Sequence, residues 1–391
     1  MEALRRIGLC LAVSLVLTSQ SGLAQFTVPN TFVPGTPATA ADVNTNFSAT
    51  AAAINGKQNL VTGVCPAGSA IQSINANGTV VCQQLSFFGG DGSAGNLTIA
   101  ASTNWATTPP VNLNFANVTI NAAQTLTVPA GTTIRCSGTF TNNGTLLVNT
   151  GARLGGLNNF AFLAAVDIYS MGHPGDAFRP ASGGSYDTAT THNVQAGLGG
   201  EPIPRTTAMT SFNSFRIGGG SGAGWRDGGN DGDGGGLVKV YCTGSITNVG
   251  TISANGGTPS ILTGGGGGGI VVLASTASVT NSGTINAVGG NGGASFSFGG
   301  AGGGGGGGIV VFVAPAMGAT GTINVGGGNG GSVATAVTSG ARYGGGGGGA
   351  SGGAGGNGGG IFANSTTPNT PLSGSAGYAL SIVANPAFLL H

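Results

Sequence analysis

Gly264-Gly265-Gly266-Gly267-Gly268-Gly269-Ile270-Val271-Val272-Leu273 is the stretch that decides the reading of this chain. It recurs as Gly302–Gly308 running into Ile309-Val310-Val311-Phe312, and a third run, Gly344–Gly349, reaches Ile361-Phe362 after a further glycine-rich piece. A flexible linker is diluted with serine and joins unlike elements, whereas nearly pure glycine recurs here at the same place in a repeating unit. A disordered low-complexity tail is the competing interpretation. A left-handed threefold helix rises about 3.1 Å per residue, so a six-residue run makes a rod about 19 Å long. Rods without side chains can pack laterally and pair backbone N–H and C=O groups between them. Glycine carries the largest ordering entropy of any residue, so several rods must pack together, and the runs are expected to form a layer of polyglycine type II helices.

Outside the runs, short segments alternate apolar residues with Thr or Asn: Asn96-Leu97-Thr98-Ile99, Asn112-Leu113-Asn114-Phe115, Val118-Thr119-Ile120 and Thr125-Leu126-Thr127-Val128. Evenly spaced short strands without helices suggest a sandwich, a barrel or a solenoid. A repeat decides between them. Cys136-Ser137-Gly138-Thr139-Phe140-Thr141-Asn142-Asn143-Gly144-Thr145-Leu146 matches Cys242-Thr243-Gly244-Ser245-Ile246-Thr247-Asn248-Val249-Gly250-Thr251-Ile252 position by position. Its end reappears as Gly283-Thr284-Ile285 and Gly321-Thr322-Ile323, 33 and then 38 residues on. Such a period marks stacked units that bury apolar faces only against their neighbours. The expected class is all-β, with parallel β-solenoid-like repeats. Ile, Leu and Val should stack inside, Asn and Thr should take turns and outer faces, and Cys136 and Cys242 should lie on adjacent coils, bonded or stacked.

Composition removes several functions. Of 391 residues 82 are glycine, with eleven basic and ten acidic side chains. Nothing here neutralises a phosphate backbone, so nucleic acid is not an expected partner. Glycine does not fall on every third position with abundant proline, which excludes collagen.

Residues 1–24 carry Arg5 and Arg6, an apolar Ile7 to Leu17 and a small-residue site Gly22-Leu23-Ala24, the pattern of a secretory signal peptide. No integral membrane segment is expected after cleavage, and the location implied is secreted or bacterial cell surface. Four cysteines remain in a setting that permits disulfides. In residues 25–60 an extended Val28-Pro29-Asn30-Thr31 piece precedes a helix with Val43, Phe47, Thr50 and Ile54 at spacings of 4, 3 and 4. That seam suits either one short helix packed on its own chain or a small homotrimer. Cys65 and Cys82 bracket a hairpin pattern with Ile71 and Ile74 before Asn75-Ala76-Asn77-Gly78. A bridge there stabilises by about 3 kcal/mol, and 61–87 is expected to be a disulfide module.

The Gly89-Gly90-Asp91-Gly92-Ser93-Ala94-Gly95 block, the strands from Asn96 to Gly151, the Gly-Thr-Ile units and the glycine runs before Ile-Val-Val resemble the glycine-rich receptor-binding tip adhesins of T-even-like phage long tail fibres. They also resemble bacterial surface proteins built from the same modules. The likeness spans roughly Phe88 to Phe362, and the Val-Pro-Asn-Thr and Cys65–Cys82 segments look like fibre modules. The resemblance implies a packed polyglycine sandwich whose variable segments contact a cell-surface glycan or outer-surface protein. The signal peptide departs from the phage pattern and points to a bacterial exported protein. Carried over, the variable segments are Thr258–Thr263, Ala294–Phe298 and Ser332–Tyr343, with Ile261, Leu262, Phe296, Phe298, Arg342 and Tyr343 as candidate contacts. Aromatic and arginine anchors on loops suit such a role, although Phe296 and Phe298 would equally suit capping the glycine layer.

Solenoid strands are expected over 88–152, a loop-rich insertion over 153–239, the glycine-rich repeat over 240–365 and a C-terminal strand and tail over 366–391. The insertion holds thirteen of the twenty-one charged residues. His173 with Asp176, and Asp187 with His192, are its candidate acid/base or metal groups. No nucleophile motif or His-x-x-x-His spacing accompanies them, so no enzyme activity is expected. Asp227, Asn230, Asp231 and Asp233 resemble a calcium loop that lacks the distal Glu of an EF-hand; calcium is the one cofactor considered. An exported adhesin is the leading expectation, ahead of a purely structural matrix protein and a solenoid carbohydrate-active enzyme. Ice binding through threonine rows is a minor variant, since Thr-x-Thr pairs such as Thr125/Thr127 and Thr139/Thr141 are too few.

Overall fold

A Gly-Thr-Ile unit offers one apolar side chain between residues that tolerate water. It can form only a short strand and bury that side chain only against a copy of itself. In the computed structural model each unit does lie beside its copy. The structure describes residues 28–57, 63–65, 69–75, 78–84, 88–152, 174–187, 194–224, 232–295, 299–333, 342–361 and 369–388. The expected signal peptide lies outside them. No helix among the described residues is long and apolar enough to cross a membrane. The chain divides into two units, Met1–Leu85 and Ser86–His391.

In the first unit, α1 (Ala40–Lys57) starts at Thr39, whose Oγ1 accepts the Asp42 N–H as an N-cap and donates to the Asp42 carboxylate. Asn46 bonds the Asn30 backbone twice, accepting its N–H and donating to its carbonyl at 2.8 Å each. The face towards the preceding segment is therefore polar. Phe47 and Ile54 stay 70% and 57% exposed, so of the two alternatives the one in which the whole seam packs on its own chain does not hold. β1 (Ser69–Ile74) and β2 (Val80–Gln84) pair antiparallel, and the Cys65–Cys82 disulfide closes the module with its Cα atoms 5.5 Å apart.

The second unit is a β-solenoid-like stack of three parallel six-stranded sheets. Sheet I contains β3 (Leu97–Ile99), β6 (Val118–Ile120), β9 (Phe140–Asn142), β13 (Ile246–Asn248), β16 (Ser278–Asn281) and β19 (Ala316–Met317). Sheet II contains β4 (Thr103–Asn104), β7 (Thr125–Val128), β10 (Thr145–Val148), β14 (Thr251–Ser253), β17 (Thr284–Asn286) and β20 (Thr322–Asn324). Sheet III contains β5 (Asn114–Phe115), β8 (Thr132–Cys136), β12 (Leu237–Cys242), β15 (Ile270–Ser275), β18 (Ile309–Ala314) and β22 (Tyr378–Val383). Each coil takes one strand from each sheet in turn. The sequence repeat is the register itself: Cys136 faces Cys242, Phe140 faces Ile246, and Thr251 faces Thr284, which faces Thr322.

Inside, Leu126, Leu146, Ile252 and Ile285 form one fully buried column in sheet II. Cys136 and Cys242 bond across neighbouring strands within the same core. The expectation that asparagine keeps to turns and outer faces is corrected at Asn142, Asn248 and Asn281, all fully buried. Asn142 Nδ2 donates to Asn248 Oδ1, and Asn248 Nδ2 donates to Asn281 Oδ1, at 2.7 Å each. Asn281 Nδ2 ends the ladder on the Thr320 carbonyl. A column of amides is tolerated because each rung satisfies the next.

β12, β15 and β18 are buried on both faces, which accounts for their unbroken Ile-Val-Val pattern. The outer face of sheet III is covered from the insertion by α2 (Arg205–Ser211) with Phe212 and Phe215, and by Phe88.

All the long excursions leave the same corner, between sheets II and III. The chain runs outward after β14 and returns as Gly264–Gly269 into β15, then outward after β17 and back as Gly302–Gly308 into β18. The Gly264 and Gly267 amides donate to Ala223 and Gly220, those of Gly265 and Gly268 to Gly303 and Gly306, and those of Gly266 and Gly269 to Gly257 and Ala254. Partners therefore repeat every third residue. Gly344–Gly349 follows the same rule, donating to Ser185 and Ser182, Gly359 and Gly356, and Leu262 and Gly265. With Ala350 added, that limb accepts from three further neighbours, through Gly197 and Gly200, Gly303 and Gly306, and Gly220 and Ala223. The runs do not share one layer as expected. Gly264–Gly269 and Gly302–Gly308 prolong the row of sheet III, and Gly344–Gly349 lies in the next row beside limbs of the insertion.

Two substitutions test this arrangement. A Cβ on Gly305 would overlap the Gly266 carbonyl, backbone that cannot yield, whereas a Cβ on Gly326 meets nothing within 4 Å. Gly305→Ala is expected to cost about 3 kcal/mol and Gly326→Ala to leave thermal melting unchanged. In the amide ladder, Asn248→Ala strands groups on both neighbours and should cost about 3 kcal/mol. Asn324→Ala, at an exposed position, should stay within about 0.5 kcal/mol in denaturant titration.

Candidate functional site

The direction of each limb follows from its bonding register. Residues 254–257, 287–293, 326–331, 352–361, 217–224 and 182–185 run away from the solenoid, and the limbs after them run back. The described residues that flank the outer connections therefore end at one edge, remote from the stacked coils.

At that edge the variable segments meet. Ile261 bridges Ala294 in parallel, Leu262 N–H donates to the Ala294 carbonyl at 2.9 Å, and Ser295 N–H donates to the Ser332 carbonyl at 2.8 Å. β11 (Tyr186–Asp187) pairs antiparallel with β21 (Arg342–Tyr343), so the third segment is tied to the insertion. Val194 and Ile361 exchange two backbone bonds and bury each other beside it. Sequence reasoning assigned these pieces to separate modules. The missed signal was the glycine content of 182–184, 197–200 and 218–224, which makes the insertion part of the lattice.

Of the six candidate contacts, Ile261 is 37% exposed and Leu262 only 3%. Leu262 does not offer the surface expected of it. It sits at φ +55°, and the Thr263 N–H bonds back to the Ile261 carbonyl at 2.6 Å. This is a γ-turn with its central residue in the left-handed region, a strained geometry for a branched side chain. It turns the chain from the outer connection into Gly264. Phe296 and Phe298 lie outside the described residues, and for Arg342 and Tyr343 the backbone pairing is what is described.

Among the described charged groups of the insertion, Asp176 serves as support. Asp176 accepts the N–H groups of Arg216, Ile217 and Gly218 at 2.7 to 3.0 Å, which commits its carboxylate to a turn of the backbone. His173 and His192 lie outside the described residues, as do Asp227, Asn230 and Asp231. Asp233 is buried, and its carboxylate accepts from Thr150 Oγ1 at 3.4 Å. No group of three or more His, Cys, Asp or Glu among the described residues could hold a metal ion.

Three perturbed groups, Lys239, Tyr241 and Tyr378, sit on the covered face of sheet III. Lys239, 5% exposed, donates from Nζ to the Asn213 carbonyl at 2.5 Å. Burial, aided by repulsion from Arg216 and Arg135 and opposed by Asp176, lowers its pKa to about 8. Tyr241 stacks on Phe88 at 5.2 Å with the Arg135 guanidinium 5.3 Å over its ring. Burial raises the Tyr241 pKa to about 12, and burial likewise raises Tyr378 to about 12.

The signs give a test. Between pH 8 and the ordinary lysine value of 10.5 the unfolded chain holds more protons at Lys239, so stability should rise with pH. Between pH 10 and 12 the folded chain holds more protons on the two tyrosines, so stability should fall. The melting temperature should climb from about pH 8 to a maximum near pH 10 and then drop. Lys239→Met should remove the rising limb and melt higher at neutral pH.

Comparison of the chain with family models, with curated proteins and with solved structures returned no match.

Proposed function

We propose that this chain is an exported surface adhesin or fibre-tip protein, and that its glycine limbs are threefold polyglycine helices packed laterally as a rigid platform. The three-residue period of the bonds from Gly264–Gly269 and Gly344–Gly349 supports the helix assignment. Six bonded neighbours around the Gly344–Gly349 limb support the packing. On this reading the solenoid anchors the limbs, and the connections at the remote edge bind a cell-surface glycan or outer-surface protein.

The observation that carries the binding role is the joining of the three variable segments and the insertion into one edge, through Ile261 with Ala294, Ser295 with Ser332, and Tyr343 with Tyr186. A platform that fixes connections before contact reduces the ordering cost of binding. Ile261, Phe296, Phe298, Arg342 and Tyr343 are the residues assigned to contact. Calcium at Asp227, Asn230, Asp231 and Asp233 remains part of the proposal only as a sequence pattern.

A glycan-array and whole-cell binding screen of the secreted chain tests the proposal. Alanine at Phe296, Phe298, Arg342 and Tyr343 together should reduce cell binding at least about tenfold without lowering the melting temperature. Binding that survives all four changes would remove the edge from the mechanism. A folded chain that binds no cell or glycan would favour a purely structural surface protein.

A further inference from the structure

Sheet II has an outer face that the adhesin reading does not use. Register places Thr125, Thr145, Thr251, Thr284 and Thr322 in one unbroken column across five coils. The next outward column runs from Thr127 through Leu147, its one exposed apolar member, to Ser253, Asn286 and Asn324, where Asn324 Nδ2 donates to Asn286 Oδ1 at 2.6 Å. The face carries on along the outgoing limbs, where Asn255, Asn291 and Asn329 are exposed. Asn255 and Asn291 use Oδ1 to accept the backbone N–H of the following coil's limb, which fixes the amides in place.

Three properties define what this face could hold. No charged or aromatic side chain occurs in any strand of sheet II, so neither ion pairing nor ring stacking is on offer. Among the described residues none of the five threonine hydroxyls makes a hydrogen bond, and all are half-buried or exposed, so their donors and acceptors face water. The groups recur at the coil spacing, about 4.8 Å. An occupant must therefore be uncharged, rich in hydroxyls, and periodic at roughly the length of one sugar ring. Each contact is weak alone, and many in register add through multivalency.

We propose that the outer face of sheet II binds a linear, uncharged polysaccharide laid along the stacking direction, one sugar residue per coil. This surface is separate from the edge of variable segments. The Thr-x-Thr count taken from sequence missed it, because the column is assembled from single threonines of different coils, each followed by Leu or Ile.

Microcrystalline cellulose, a neutral linear β-glucan, is the probe, and the full secreted chain is assayed by pull-down in low and high salt. Retention should be unaffected by salt. The double change Thr251→Val and Thr284→Val, which keeps the branched shape and removes two hydroxyls, should lower retention about fivefold or more at an unchanged melting temperature. Thr284→Glu should abolish retention, and Ile261→Ala should leave it intact. The proposal is overturned if the folded chain is not retained, if the valine pair is retained like wild type, if Ile261→Ala abolishes retention, or if the chain adsorbs to growing ice but not to the glucan. Loss of cell binding in the edge variants with glucan retention preserved leaves the two surfaces distinguishable.

Discussion

The missing Cβ is the constraint on which this molecule depends. Around Gly305 and its neighbours a single added carbon meets backbone oxygen from the adjoining limb, so the limbs approach to a distance open only to glycine. At that distance each amide finds a carbonyl on another limb. A net hydrogen bond contributes only about 1 kcal/mol, comparable with the backbone entropy lost by ordering one residue. The balance is close enough that tethering matters. Excursions whose two ends are held by solenoid strands begin with part of their freedom already removed, and the solenoid thus favours the lattice.

The solenoid in turn is held by two unlike interiors. Between the three sheets, Leu126, Leu146, Ile252 and Ile285 stack with the Cys136–Cys242 bridge and the buried asparagine ladder. Over sheet III, a second apolar layer forms with α2, Phe212 and Phe215 from the insertion. The insertion therefore completes a core, and its limbs also complete the environment of Gly344–Gly349. Lys239 is the exception in that second layer, a charge held under a cover whose remaining inward groups are mostly apolar.

The coil order was legible in the sequence because like residues stack on like. The match of 136–146 with 242–252 and the Gly-Thr-Ile spacing gave the strand register residue by residue. The hairpin and its disulfide were legible for the same local reason. Less visible was anything decided by lateral neighbours. Asn142 and Asn248 look like turn residues in a one-dimensional pattern, and only the alignment of three coils turns them into a ladder. The three glycine runs look alike, and their separation into two rows depends on which limb lies beside each. Leu262 looked exposed because it is apolar and sits in a variable segment, yet a γ-turn directs the chain so that it is buried. The meeting of Tyr343 with Tyr186 joins positions 157 apart in sequence, a distance that no local pattern spans.

Every long excursion leaves the stack at the same corner. From Thr251 to Thr284 and from Thr284 to Thr322, 33 and 38 residues supply three strands, an outward limb, an outer connection and a return limb. Duplicating one such length would add a strand to each sheet, a pair of limbs to the lattice and one connection to the remote edge, with every existing contact left in place. The number of outer connections is therefore counted in coils, while their chemistry is written in a few residues between limbs. A lineage carrying this architecture can change how many outer connections it presents and which side chains they carry as two independent variables.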